Sequence, residues 1–352
     1  MRNRKRQNRK KPDKGEPGIT NSTEDKIECN FPVQMERKNN KDLQSEIKDD
    51  SAIKAFKDGE LLSGIYSDLH LALLKSYQLK TDIDLVSSLV TDTDGKMWFT
   101  NRFHLMFINE NEKVEMFKTL EDIEDLAAMT TGALLVSFRN KHNINIISQE
   151  GKMKLFYNLP KSQTNISALH VCRDGRIIIL FMEPLSTQNI FPLGKTIYHM
   201  IVLENSGKCV KTMKCDERYM WNPNLNQIRI SENVNNDICI SYSVYHNYLF
   251  GEIVALDAEG HVRWIYRGCR DLEKNRPFSP CDIATTSHGH IITSDFYTNI
   301  IYILNIDGKL LSYKHSRELG IRSPFCLFIN KEDHLLAGSC DKLYILNFIQ
   351  GL

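Results

Sequence analysis

No window of this 352-residue chain approaches 18 consecutive uncharged apolar positions, so a membrane-spanning helix is not expected. The N-terminus reads Met1-Arg2-Asn3-Arg4-Lys5-Arg6 where a signal peptide would place its apolar core, which argues for an intracellular, cytoplasmic protein. Nine cysteines, an odd number, stand at 29, 172, 209, 215, 239, 269, 281, 326 and 340 with no C-x-x-C among them. A disulfide framework, a zinc finger and a dithiol redox pair all lack their minimum spacing. No G-x-S-x-G, Walker A or dinucleotide fingerprint occurs, and the Ser-x-x-Lys matches at Ser45, Ser51 and Ser339 lack their companion motifs.

Net charge is also nearly absent, at +1. That balance hides an asymmetry. Residues 1–14 hold eight Lys/Arg against Asp13 alone, a net +7, which leaves −6 for the rest of the chain. A body of that sign is poorly suited to gripping phosphates. Residues 1–60 are rich in Lys, Asn, Asp and Glu with few apolar positions and cannot bury enough surface to offset the entropy of ordering, so they read as a disordered tail. The basic run 2–11 is a solvated tail by composition, with nuclear import as its second reading. Residues 61–75 form a linker, with a short helix expected near 65–74.

From residue 76 onward a short apolar run, a tight polar turn and a second apolar run recur six times. The turns lie at Asp94-Gly95, Thr131-Gly132, Asp174-Gly175, Asn235-Asn236-Asp237, His288-Gly289 and Glu332-Asp333. A second set follows at Glu150-Gly151, Ser206-Gly207, Glu259-Gly260 and Asp307-Gly308. Two hairpin turns per unit mean four strands, and units of about 45 residues match one propeller blade. The last unit is one strand short, and residues 73–79 can supply it by pairing chain start with chain end. The expected fold is all-β: a closed six-bladed β-propeller of four-stranded blades over residues 76–350.

The fifth unit carries a family likeness. Ser294-Asp295, Asn299, Ile301, Ile303, Asp307-Gly308 and Leu310-Leu311 resemble an NHL repeat, and Ser323-Pro324-Phe325-Cys326-Leu327 resembles the opening of the next. Residues 76–348 are thus similar to the C-terminal propellers of invertebrate tripartite-motif (TRIM) proteins. The sequence departs from that pattern at Ile300-Ile301, where the family has a basic residue, and at Cys326, where it has Gly. The resemblance implies a binding module, with substrate recognition in ubiquitination as one role. The RING and B-box zinc clusters of that family have no counterpart here, since only Cys29 lies in the first 171 residues.

The loops differ in length between the two sides of the ring. Blade-to-blade crossings and second turns share one side of a propeller, and the long segments 181–197, 213–228, 243–252 and 266–281 fall there. Long loops on a rigid scaffold are where binding residues concentrate. Tyr219, Trp221, Tyr245, Tyr248 and Phe250 are candidate anchors, although such rings also pack loops onto blades. Arg267, Arg270 and Arg276 are candidates for steering or phosphate contact. The expectation is a non-catalytic scaffold, without cofactor or metal and without a membrane partner, that binds a protein or peptide on this face. Single-stranded RNA is the second ligand class. A calcium-dependent esterase or lactonase is the alternative class: such propellers hold calcium in the central channel, and Asp84, Asp125, Asn165, Asn226 and Asp282 are expected just before five of the innermost strands. These are hard oxygen ligands, though Asp and Asn also begin strands simply as turn residues. His288-Gly289-His290 reads as a turn.

Overall fold

Consecutive apolar residues such as Leu134-Leu135 and Ile291-Ile292 signal sheets covered on both faces, and the computed structural model of the chain shows why. It describes residues 69–350 apart from 80–84, 110, 120, 161–163, 185–195, 216–224, 245–249, 270–271 and 273–275. The tail read over residues 1–60 lies outside the described residues.

The strands form six four-stranded antiparallel sheets. Blade 1 is β2 (Ser88–Thr91), β3 (Met97–Thr100), β4 (His104–Ile108) and β5 (Val114–Lys118). Blade 2 is β6 (Ile123–Ala128), β7 (Leu134–Phe138), β8 (Asn143–Ile147) and β9 (Met153–Asn158). Blade 3 is β10 (Asn165–Val171), β11 (Ile177–Pro184), β12 (Thr196–Leu203) and β13 (Cys209–Lys214). Blade 4 is β14 (Leu225–Glu232), β15 (Ile238–Val244), β16 (Phe250–Leu256) and β17 (Val262–Tyr266). Blade 5 is β18 (Pro280–Thr285), β19 (Ile291–Asp295), β20 (Ile300–Leu304) and β21 (Leu310–His315). Blade 6 is β22 (Cys326–Ile329), β23 (Leu335–Gly338), β24 (Lys342–Gln350) and, as its outer strand, β1 (Leu69–Gln78). The innermost strands β2, β6, β10, β14, β18 and β22 each touch the next, and β22 touches β2, so the ring is closed. The expected six-bladed propeller is observed.

Six hydrophobic clusters fill the six blade junctions. Alternation then explains the unbroken apolar runs. Leu134 faces the cluster between blades 1 and 2 while Leu135 faces the one between 2 and 3. Ile291 and Ile292 divide in the same way between the junctions flanking blade 5. A period of two persists, but neither face meets water.

The helix expected near 65–74 is replaced from Leu69 onward by β1. Leu69 and Leu71 are buried and His70 is exposed, an alternation suited to a strand covering blade 6. The turn chemistry also differs from a two-residue hairpin. Asp92 accepts the backbone N–H of Asp94 and Lys96 on Oδ1, and Gly95 takes φ +80°, so the glycine follows a side-chain-capped turn as the left-handed residue of a bulge. Where that glycine is missing, Asn236 and Asp333 adopt positive φ themselves. A 3₁₀ turn, Ser316–Leu319, leads into blade 6. No helix among the described residues is long and apolar enough to cross a membrane.

The β1–β24 pairing runs from Leu69–Gln350 to Gln78–Lys342. A chain starting at Leu79 should therefore melt on the order of 10 °C below one starting at Gly64, since it loses two buried leucines and a whole ladder. Equal melting temperatures in a thermal scan would show that β1 does not hold the ring.

Candidate functional site

The loop candidates divide. Tyr219, Trp221, Tyr245, Tyr248 and Arg270 lie outside the described residues. Phe250 opens β16 and is exposed. Arg267 donates from Nε to Glu252 Oε1 at 2.6 Å, and the same carboxylate accepts the Tyr242 hydroxyl at 2.6 Å. Arg276 donates to the Tyr297 carbonyl at 3.4 Å. Both arginines thus have partners within the protein. Of the channel candidates, Asp84 and the side chain of Asn226 lie outside the description, and Asn165 is only half-buried at the start of β10. Asp125 and Asp282 are buried and line the axial cavity.

Register places these two aspartates with precision that sequence alone does not supply. The fourth residue of each blade's second strand pairs with Ser88, Asp125, Ala168, Arg229, Asp282 and Cys326 in turn. One ring of equivalent positions therefore surrounds the axis. In β6, β10, β14 and β18 a register shift falls immediately before the ring residue, as expected of a bulge that re-aims a side chain.

Asp125 accepts Ser88 Oγ–H and Leu126 N–H at 3.0 Å on Oδ1, and Leu169 N–H from the next blade at 2.9 Å on Oδ2. Asp282 repeats the arrangement three blades away, accepting Ile283 N–H on Oδ1 and Leu327 N–H on Oδ2, both at 2.7 Å. Between them Arg229 reaches across the axis. One terminal nitrogen donates to the Ser87 carbonyl of blade 1 at 2.8 Å and the other to its own neighbour Ile228 at 2.9 Å. Its buried Nε–H has no partner among the described residues. Burial works against its charge, but Asp125 and Asp282 outweigh that cost and hold it above the ordinary arginine value. Burial pushes Asp282 up to about 7 against the pull of Arg229 and the two N–H donors.

Calcium does not fit this ring. It takes six to eight oxygen ligands, whereas the ring offers oxygen side chains only at Ser88, Asp125 and Asp282, with Ala168 and Cys326 unsuited to it. A guanidinium already stands among the carboxylates.

The cavity, about 240 Å³, extends from this ring toward the tight turns, past Val171, Arg173, Glu232 and Thr285. There His170, Cys172 and Glu232 bring their donor atoms within 4.8 Å of one another, but each carboxylate oxygen has a partner. Glu232 accepts Arg173 N–H at 3.1 Å and Arg176 at 3.3 Å, and its own N–H donates to His170 Nε2 at 3.1 Å. Burial, with the Arg173 charge beside it, drives His170 down to about 4. Burial likewise pushes the Cys172 thiol up, which leaves it a poor nucleophile. His288 lies in the first turn of blade 5, facing Asp333 at 3.0 Å and exposed. Sequence reasoning missed Arg229, His170 and Glu232. The available signal was a lone charge inside the apolar stretch Ile228-Arg229-Ile230.

No protein-family model and no curated protein matches the chain. Solved structures do match, as folds. Virginiamycin B lyase from Staphylococcus aureus aligns over 80% of this chain and 100% of its own, with 13% identity and TM-score 0.53. A calcium-binding protein, regucalcin, from Agrobacterium tumefaciens aligns over 80% and 96%, with 12% identity and TM-score 0.55. A gluconolactonase from Xanthomonas campestris aligns over 81% and 97%, with 12% identity and TM-score 0.53. The expectation of a non-enzyme is corrected by these neighbours, most of which are enzymes. Missing local motifs are no argument against catalysis in a fold that assembles its sites from separate blades.

Two groups lining the axial cavity, buried Asp282 and half-buried His170, make stability depend on pH in opposite directions. Folded Asp282 keeps its proton up to about 7 while the unfolded carboxyl loses it near 3.8, so its contribution falls as pH rises through that window. Folded His170 stays neutral down to about 4 while the unfolded ring protonates near 6.5, so its contribution rises with pH. The two oppose each other between about pH 4 and 6.5. Relative to wild type, Asp282→Asn should gain stability with rising pH there by up to about 1.4 kcal/mol per unit, and His170→Gln should lose it. Urea midpoints across that range check both signs, and parallel curves for the three proteins would refute the assignment.

Proposed function

We propose that the chain is an enzymatic propeller acting on a small ester or lactone in the axial cavity. The observation that carries this reading lies at the ring: Asp282, its carboxyl pushed up to about 7 by burial, on one level with Arg229, whose buried Nε–H has no partner among the described residues. The cavity is smaller than the roughly 300–1,000 Å³ of drug-sized sites, which fits a compact substrate. In the proposed step, one water O–H proton passes to the Asp282 carboxylate as the water oxygen bonds the carbonyl carbon. The Arg229 Nε–H stabilises the oxyanion. Collapse of that intermediate breaks the acyl C–O bond, and the leaving alkoxide recovers the proton from Asp282.

The test is turnover of small lactones and short-chain esters by the full chain. Asp282→Asn should lower kcat/KM by about 10²- to 10⁴-fold, with its melting temperature recorded alongside. No turnover above the uncatalysed rate across the panel sinks the reading.

A protein or peptide partner on the long-loop face is a second reading, favoured by Phe103 and Phe250, which stand 56% and 44% exposed on that side. Replacing both phenylalanines by Ala should weaken such a partner by about 1–3 kcal/mol without changing the melting temperature. A steep loss of affinity with salt would point to RNA instead.

A further inference from the structure

The mismatch between the axial ring and calcium has a positive content. The ring repeats one device twice: Asp125 and Asp282 each fasten their own blade to the next through a backbone N–H. Two carboxylates converging on one narrow axis repel each other, and neither has bulk water to screen it. A positive group on the axis offsets part of that repulsion. At the equivalent position of blade 4 the chain places Arg229, buried and spanning the axis to the Ser87 carbonyl.

We infer that Arg229 is the resident cation of this propeller, a covalently attached replacement for a channel metal that keeps the ring closed to calcium.

A guanidinium suits the place better than an ammonium. Its planar fork satisfies carbonyls on two blades at once and leaves a third N–H directed at neither. Its charge is fixed at every physiological pH, so the ring needs no ion from solution. The inference goes beyond the hydrolase reading and does not depend on it, because it concerns which cation the ring accepts.

The decisive measurements are calorimetric titration with calcium chloride and melting with and without calcium or chelator. Wild type should show no calcium heat and a melting temperature indifferent to both. Arg229→Gln, which keeps polar bulk and removes the charge, should melt lower and regain part of the loss on adding calcium. Its calcium affinity should exceed that of wild type by at least about tenfold, as the competing positive charge is removed from the axis. Adding Asp282→Asn to that variant should abolish the rescue, and Arg229→Lys should stay calcium-indifferent. Stoichiometric calcium binding by wild type overturns the inference even if Arg229→Gln fails to fold. A folded Arg229→Gln that melts like wild type with no calcium response overturns it as well. A chain inactive on every ester leaves these readouts unchanged, so failure of the hydrolase reading and failure of this one are distinguishable.

Discussion

The innermost strand of every blade is a sheet edge, and the rest of the structure follows from how six such edges are disposed around one axis. An edge strand carries backbone N–H groups that no ladder satisfies, and a narrow channel offers little water to take their place. The chain answers with side-chain clips from blade to blade. Ser88 joins blades 1 and 2 through Asp125, and Asp125 joins 2 and 3 through Leu169 N–H. His170 accepts Glu232 N–H between 3 and 4, Thr285 donates to the Glu232 carbonyl between 4 and 5, and Asp282 accepts Leu327 N–H between 5 and 6. The last junction is where the chain's ends meet. It is closed by β1 on β24, with Val86 N–H donating to the Ser339 carbonyl.

Using carboxylates as clips has an electrostatic consequence. Each is stabilised by the N–H groups it accepts, but two of them are buried on one axis. Arg229 offsets part of the cost, and the remainder shows as the elevated Asp282 carboxyl. Architecture and the proposed reactivity therefore rest on the same residues. A carboxyl pushed up by burial, on one level with a guanidinium, is the cost of closing the ring this way, and the proposed step draws on both groups.

The fold was legible in the sequence because its signals are local and repeated six times. Both-face apolar runs, left-handed turn residues and a last unit lacking one strand were enough for blade count and closure. The site was not legible, for a geometric reason. Ser88, Asp125, Arg229 and Asp282 come from four blades, each preceded by a different chain segment, so no motif of fixed spacing joins them. Asp125 and Asp282 were noticed as strand openers, but Arg229 gains meaning only once register puts it on their level. Loop length drew attention to the opposite side of the ring, since it reports exposure and says nothing of the axis. A family likeness carried by turn and strand residues is likewise a poor guide to catalysis in any fold that draws one site residue from each repeat.

The residues that suggested an NHL repeat have structural work of their own. Asp295 is buried and accepts Ser279 N–H on Oδ2 and the N–H groups of Tyr297 and Thr298 on Oδ1. Asn299 takes φ +57° and accepts Ser323 N–H at 2.8 Å, which ties the β19–β20 turn to the crossing into blade 6. These contacts let blade 5 turn tightly and hold the chain entering blade 6, whatever happens at the axis. Likeness at those positions therefore reports blade construction. That is why a sequence resembling binding propellers can share its fold with lyases and lactonases, and why its chemistry has to be argued from Asp125, Arg229 and Asp282.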